Sequence, residues 1–182
     1  SEGIIDCARE TVKTLGLKDL SDDEYRLFIG PALMYSLKTY AGASDEESER
    51  GYRIYRKLYF ERGIDEYRIY DGVEETLAEL NAAGVVCTIA SGKPVESIKH
   101  ILDRSGLMKY FARYEGTIKP KKYSDKTAQT IAAIADRSAV MVGDRVFDLR
   151  AAAGAGIDSI YALYGFCVSG DTDEIKPTFT VK

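Results

Sequence analysis

The chain has a single histidine, His100, and only three cysteines, Cys7, Cys87 and Cys167, in 182 residues. One imidazole excludes a histidine-rich metal centre and a Ser-His-Asp triad. An odd set of distant cysteines with no CxxC spacing argues against a disulfide framework or a thiolate zinc site, so a reducing, cytoplasmic compartment is expected. No apolar run approaches the roughly 20 residues of a membrane span, and no secretory signal is visible. A basic excess is missing too. The formal net charge is -4, and the one basic cluster, at residues 119–122, is too short to suggest a nucleic-acid partner. The four prolines are scattered, and no internal repeat or low-complexity tract divides the chain.

What is present is an ordinary globular balance, 45% hydrophobic and 30% charged, in a length that fits one domain or a domain with a smaller companion. Ile4, Ile5, Ala8, Val12 and Leu15 recur at helical spacing up to Gly16. Ser21 and Glu24 form a capping-box pattern ahead of Tyr25, Leu27, Phe28 and Ile29, a helix that Gly30-Pro31 closes. Another helix carries Leu33, Met34 and Leu37, and residues 44–47 open a long one with acidic residues that suit its dipole. Up to about residue 62 the chain reads as a helical unit without a strand. Alternating strands and helices begin after residue 70, and a domain boundary is expected there.

Val73, Leu77 and Leu80 give a helix stopped at Gly84, and residues 85–90 (VVCTIA) read as a buried strand that delivers Ser91. Gly92 permits close approach of backbone to a ligand, and Pro94 opens a helix with Ile98, Ile101 and Leu102. Ser91 and the amides after it can cradle a phosphate; a plain strand-to-helix turn explains the same residues. A short strand at 110–116 and a helix at 124–135 flank a lysine-rich connection, whose lysines can neutralise a phosphoryl oxygen or simply be solvated. Residues 139–157 (AVMVGDRVFDLRAAAGAGI) then combine an apolar run suited to a strand buried on both faces, a break at Gly143, Asp144 and Asp148, and a small-residue helix. Open α/β sheets bind ligands at such strand ends. The two carboxylates suit Mg2+ with a phosphate, and a helix cap equally well. Further strands are expected at 159–163 and 178–181.

In this order, TIASGKP at 88–94, the lysine segment, and VGDRVFDLRAA at 142–152 resemble the second, third and fourth motifs of the haloacid dehalogenase superfamily of phosphohydrolases. FIGPALMYSL at 28–37 and YRKLYFERG at 55–63 are similar to the helical cap of its phosphoglycolate-phosphatase-like branch. The resemblance implies an α/β fold, a doubly wound parallel sheet at 69–182 with a small all-α helical cap and its leading helix at 1–68. It also implies Mg2+-dependent hydrolysis of a small phosphomonoester through an aspartyl-phosphate. Ser91 and Gly92 would bind the phosphoryl oxygens, and Asp144 and Asp148 would hold the Mg2+. The stabilising lysine is either Lys126, reached by counting forward from Tyr110, or Lys119, whose Lys-Pro pair matches the commoner family form; Lys121 and Lys122 lie beside it. Phosphoglycolate, nucleoside monophosphates and pyrophosphate are all substrates in keeping with it, and cap residues such as Tyr35 or Arg53 would choose among them.

One element of the family pattern is absent: no Asp-x-Asp pair precedes the helix that opens the chain. The expectation is therefore a chain without the family's first strand and final helix, inactive as it stands, with its nucleophile upstream. Strands 85–90 and 139–142 would then flank a slot, about 9 to 10 Å apart and unpaired with each other. A noncatalytic phosphate-binding or regulatory domain is the alternative, and a phosphomutase or dehalogenase shares the fold. The expected partner is a small-molecule phosphate ester, with no nucleic acid or membrane, for a monomer or homodimer.

Overall fold

Helical periodicity in the first third becomes four α-helices, two of them stopped at glycines that the sequence offers. The computed structural model describes residues 2–117, 127–134 and 138–182. Helix α1 (Glu2–Leu15) ends before Gly16, and α3 (Leu33–Ala41) before Gly42, both glycines at φ 72°. Both capping boxes form: the Ser21 side chain accepts from the Glu24 N–H at the start of α2 (Asp22–Arg26), and Ser44 accepts from Glu47 at the start of α4 (Asp45–Leu58). In each, the glutamate carboxylate takes the serine N–H at 2.8 Å, so two orphan donors are satisfied reciprocally. Two boundaries differ from expectation. Helix α2 stops at Arg26 and residues 27–31 continue as turns and bends, so Phe28 and Ile29 are buried from a non-helical segment. Helix α4 widens into a π-turn at Tyr59–Gly63.

These helices share one core, in which Val12 and Leu15 of α1 meet Tyr25, Phe28, Leu37 and Ala41. Helix α4 comes close because Gly51 has no side chain: a Cβ there would lie 2.7 Å from Leu37 and 2.9 Å from Leu15. At the other end of α1, Gly3 rests against the backbone of Gly63 with no room for a side chain.

The first strand described is β1 (Cys87–Pro94), which follows the exposed helix α5 (Val73–Ala82) and runs parallel to β2 (Phe111–Thr117). Helix α6 (Val95–Ser105) makes the crossover between them, as parallel neighbours require. A second sheet has the order β3 (Val140–Gly143), β4 (Asp158–Ala162), β5 (Phe179–Val181), all parallel, with α8 (Val146–Ala155) crossing from β3 to β4. Helix α7 (Thr127–Ile134) and the short α9 (Asp171–Glu174) complete the described elements. The fold is α/β with parallel sheets. Strands β1 and β3 belong to different sheets and do not pair.

Two strand expectations need correction. Val85 and Val86 precede β1 and stand 48% and 46% exposed, and β3 is not buried on both faces, since Val140 and Val142 are 47% and 56% exposed. The cause lies in pairing. Each strand has a hydrogen-bonded neighbour on one side only among the described residues, and the alternation of β3 turns both valines to an uncovered face. No helix among the described residues is long and apolar enough to cross a membrane.

Candidate active site

The carboxyl ends of β1 and β3 open on one cavity of about 490 Å³, roofed by the helical part. Ser91, Gly92, Asp144 and Asp148 all line it, so the structure brings together four residues chosen from sequence. Lys119, Lys121, Lys122 and Lys126 lie outside the described residues.

The β1–β2 register slips between Ala90 and Pro94, so the bulge falls on residues 91–93. Bulges next to sites of this kind re-aim side chains. The Ser91 hydroxyl accepts the Lys93 N–H at 3.1 Å, which spends one amide of the turn locally. Gly92 is exposed and faces the Gly30 carbonyl of the helical part. Its own carbonyl accepts from the Thr117 hydroxyl at 3.3 Å.

In the acidic turn, Asp148 is buried, and its Oδ2 accepts the backbone N–H groups of Asp144 at 3.1 Å and Arg145 at 3.0 Å. It thus closes the first turn of α8, the capping role that the sequence also allowed. Gly143 is obligatory here, because a Cβ would overlap the Asp148 side chain. Asp144 is half-buried, and its Oδ2 accepts the Phe166 N–H at 2.6 Å. Between the two acids, Arg145 turns the other way and is buried. Its Nε donates to Asp171 at 3.1 Å and its Nη1 to the Ile29 carbonyl of the helical part. Asp171 also accepts from the Tyr161 hydroxyl at 3.2 Å; burial, then the contacts with Cys167 and Asp171, raises the phenol pKa.

The donor set for a cation is two carboxylates, and no cluster of three or more His, Cys, Asp or Glu suited to a metal occurs among the described residues. That fits Mg2+, which takes one or two protein carboxylates and leaves its remaining positions to water and substrate phosphate. It does not fit zinc, which asks for nitrogen or sulfur.

The roof is aromatic. Tyr55 and Tyr59 stack with centroids 5.6 Å apart, and both line the cavity with Phe28, Tyr52 and Phe60. Burial pushes the Tyr59 phenol up to about 12 and Tyr55 well above its usual value. Lys93 reaches this wall from below, its Nζ donating to the Tyr59 hydroxyl at 3.5 Å, and burial lowers its amine to about 8. Neither Tyr35 nor Arg53 lines the cavity. Sequence reading passed over Lys93, although it stands two residues after Ser91, because a lone lysine is usually solvated. Arg145 had a signal of the same kind, its place between the two acids. Ser97, buried in the first turn of α6, had none.

Fold and site together define an α/β protein with a cavity at its strand ends, beneath a helical roof. The chain belongs to the haloacid dehalogenase-like hydrolase family, whose model matches residues 1–162. It is 27% identical over 172 residues to a phosphoglycolate phosphatase from Vibrio parahaemolyticus, covering 87% of this chain and 75% of that one. A 5'-nucleotidase from Pseudomonas aeruginosa is also 27% identical, over 96% of this chain and 80% of its own length. Among solved structures, a predicted phosphatase from Clostridium acetobutylicum superposes with a TM-score of 0.89 at 25% identity, covering all of this chain and 86% of that one.

Proposed function

We propose that this protein is a Mg2+-dependent phosphatase for a small phosphomonoester. The observation that carries the reading is the meeting of Ser91 and Asp144, from strands of two different sheets, on one roofed cavity. The Ser91 hydroxyl and the Gly92 backbone bind the phosphoryl oxygens, and Asp144 with Asp148 holds Mg2+, which neutralises charge spread over those oxygens. A lysine of the 119–126 segment serves the same end. The nucleophile is an aspartate, as the resemblance to the family implies. Its carboxylate attacks phosphorus as the ester P–O bond breaks and the leaving oxygen takes a proton, and water then splits the acyl phosphate to give inorganic phosphate and the free aspartate. Among the described residues β1 pairs only with β2, and the one strand bonded to β3 is β4, which supports a further strand as the source of that aspartate. The roof keeps bulk water from the reacting atoms.

The relatives named above leave phosphoglycolate and nucleoside monophosphates as the leading substrates. The test is phosphate release by the full-length protein over these esters and pyrophosphate, with Mg2+ and with chelator. Turnover that needs Mg2+ is expected, and no release from any ester sinks the reading. A second reading, a noncatalytic phosphate-binding domain, draws on the Asp148 carboxylate, which already accepts two backbone amides in the manner of a cap. Metal-independent phosphate binding without turnover would favour it.

A further inference from the structure

Three cations line the cavity among the described residues, and two of them are engaged. Arg56 is paired with Glu96, and Arg145 with Asp171. Lys93 has no carboxylate within ion-pair distance among the described residues; its amine meets only the edge of Tyr59, at 3.5 Å from the hydroxyl and 5.4 Å from the ring centroid. Lys93 is half-buried, and withdrawing an ammonium from water without a counter-charge is unfavourable.

A second group stands unmet in the same cavity. Ser97 is 0% exposed, lines the same cavity, and its hydroxyl has no hydrogen-bond partner. It sits in the first turn of α6, a helix of 11 residues, where backbone N–H groups also lack intrahelical acceptors. A serine in this position ordinarily turns back to the preceding turn; this one does not. A positive amine, a donor hydroxyl and a helix N-terminus all ask for an anion, and the stacked Tyr55 and Tyr59 keep water from weakening its contacts.

We propose that Lys93 Nζ and Ser97 Oγ form a second anion subsite, where the end of β1 and the start of α6 face the aromatic roof, that binds a carboxylate or phosphate at the leaving-group end of the substrate. It rests on the phosphatase reading and narrows it: the substrate carries two anionic groups, one cleaved and one held. Ser91, Asp144, Tyr59 and Lys93 line one cavity, so with the phosphoryl group held by Ser91 and Asp144 a leaving group of a few atoms would bring a second anion to Lys93. An amine lowered to about 8 is still mostly protonated at neutral pH and so remains able to bind it.

The test uses the full-length protein and three probes: phosphoglycolate, propane-1,3-diol bisphosphate and ethyl phosphate, whose leaving group is neutral. Lys93→Met should lower the ratio of kcat/KM for either probe with two anionic groups over ethyl phosphate by about tenfold or more, and Ser97→Ala by about threefold. Lys93→Arg should restore part of the preference. The probe with the larger Lys93 dependence identifies the anion held. Ser97→Ala should also raise the melting temperature, because it removes an unpaired buried hydroxyl, whereas a structural serine would lose stability on substitution. A loss shared equally by charged and neutral probes overturns the subsite. If no probe is turned over, the phosphatase reading falls by itself, and calorimetric titration decides the subsite. Lys93-dependent binding of phosphoglycolate over ethyl phosphate sustains it, and equal or absent binding overturns it.

Discussion

Leu37 and Val142 are both aliphatic residues on regular elements, yet Leu37 is fully buried among α1, α3 and α4, and Val142 is 56% exposed on β3. The contrast holds for the parts around them. The helical part encloses its apolar stripe with neighbours supplied by the same stretch of chain. The sheet-bearing part has a helix, α5, with no buried residue, and valines at 85, 86, 140 and 142 that face no partner among the described residues. A helix satisfies its own backbone and needs only a stripe covered. A strand needs a hydrogen-bonded neighbour, and in a parallel sheet that neighbour comes from distant sequence. The first part is closed by local information, the second by long-range pairing.

The largest test of the contrast is a pair of truncations. Leu37→Ala should cost about 2 to 5 kcal/mol, and Val142→Ala in the 182-residue chain less than about 0.5 kcal/mol, both read from urea midpoints. Equal costs would break the comparison by showing that β3 is covered in solution. Next, Asp144→Asn in the full-length protein should cut Mg2+-dependent turnover by about a hundredfold or more, with melting nearly unchanged, since asparagine keeps an oxygen for the Phe166 N–H. Retained turnover would remove Asp144 from the metal site. Ser91→Ala should cost about 1 to 3 kcal/mol of transition-state binding; complete loss of activity would give Ser91 a larger role than phosphate contact. Ser44→Ala should destabilise the helical part by about 1 kcal/mol, a value that hydrogen exchange along α4 can localise.

The smallest effect is on pH. The amine of Lys93 has its pKa lowered by burial from 10.5 to about 8, so between those values the unfolded chain binds more protons than the folded one, and stability rises with pH across that window. Its side chain is half-buried, so the slope is modest. Lys93→Met should flatten it, and an unchanged slope would place the amine in water.

The same division explains what could be read from sequence. Ser21 with Glu24 announced one helix start to the residue, because a capping box is complete within four positions, and the acidic run at 44–47 announced another, where the structure adds a capping box between Ser44 and Glu47. Gly16, Gly42 and Gly84 likewise marked stops through positive φ. Residues 139–142 announced a strand correctly but not its exposure, since an apolar run records the burial its residues favour and not which neighbours are present. Ser91 and Asp144 could be placed at strand ends, and their meeting in one cavity followed from motif resemblance alone. Lys93 and Ser97 were invisible because their interest lies in partners they lack, which only packing reveals.

Arg145 makes the contact between the two parts measurable. Its guanidinium is buried, with Nε on Asp171 and Nη1 on the Ile29 carbonyl of the helical part, so separation of that part would release the Nη1 protons to solvent. Their exchange with deuterated water therefore counts the moments of separation. One side chain, placed between the two acids of the site, serves as a clock for the opening of the roof above them.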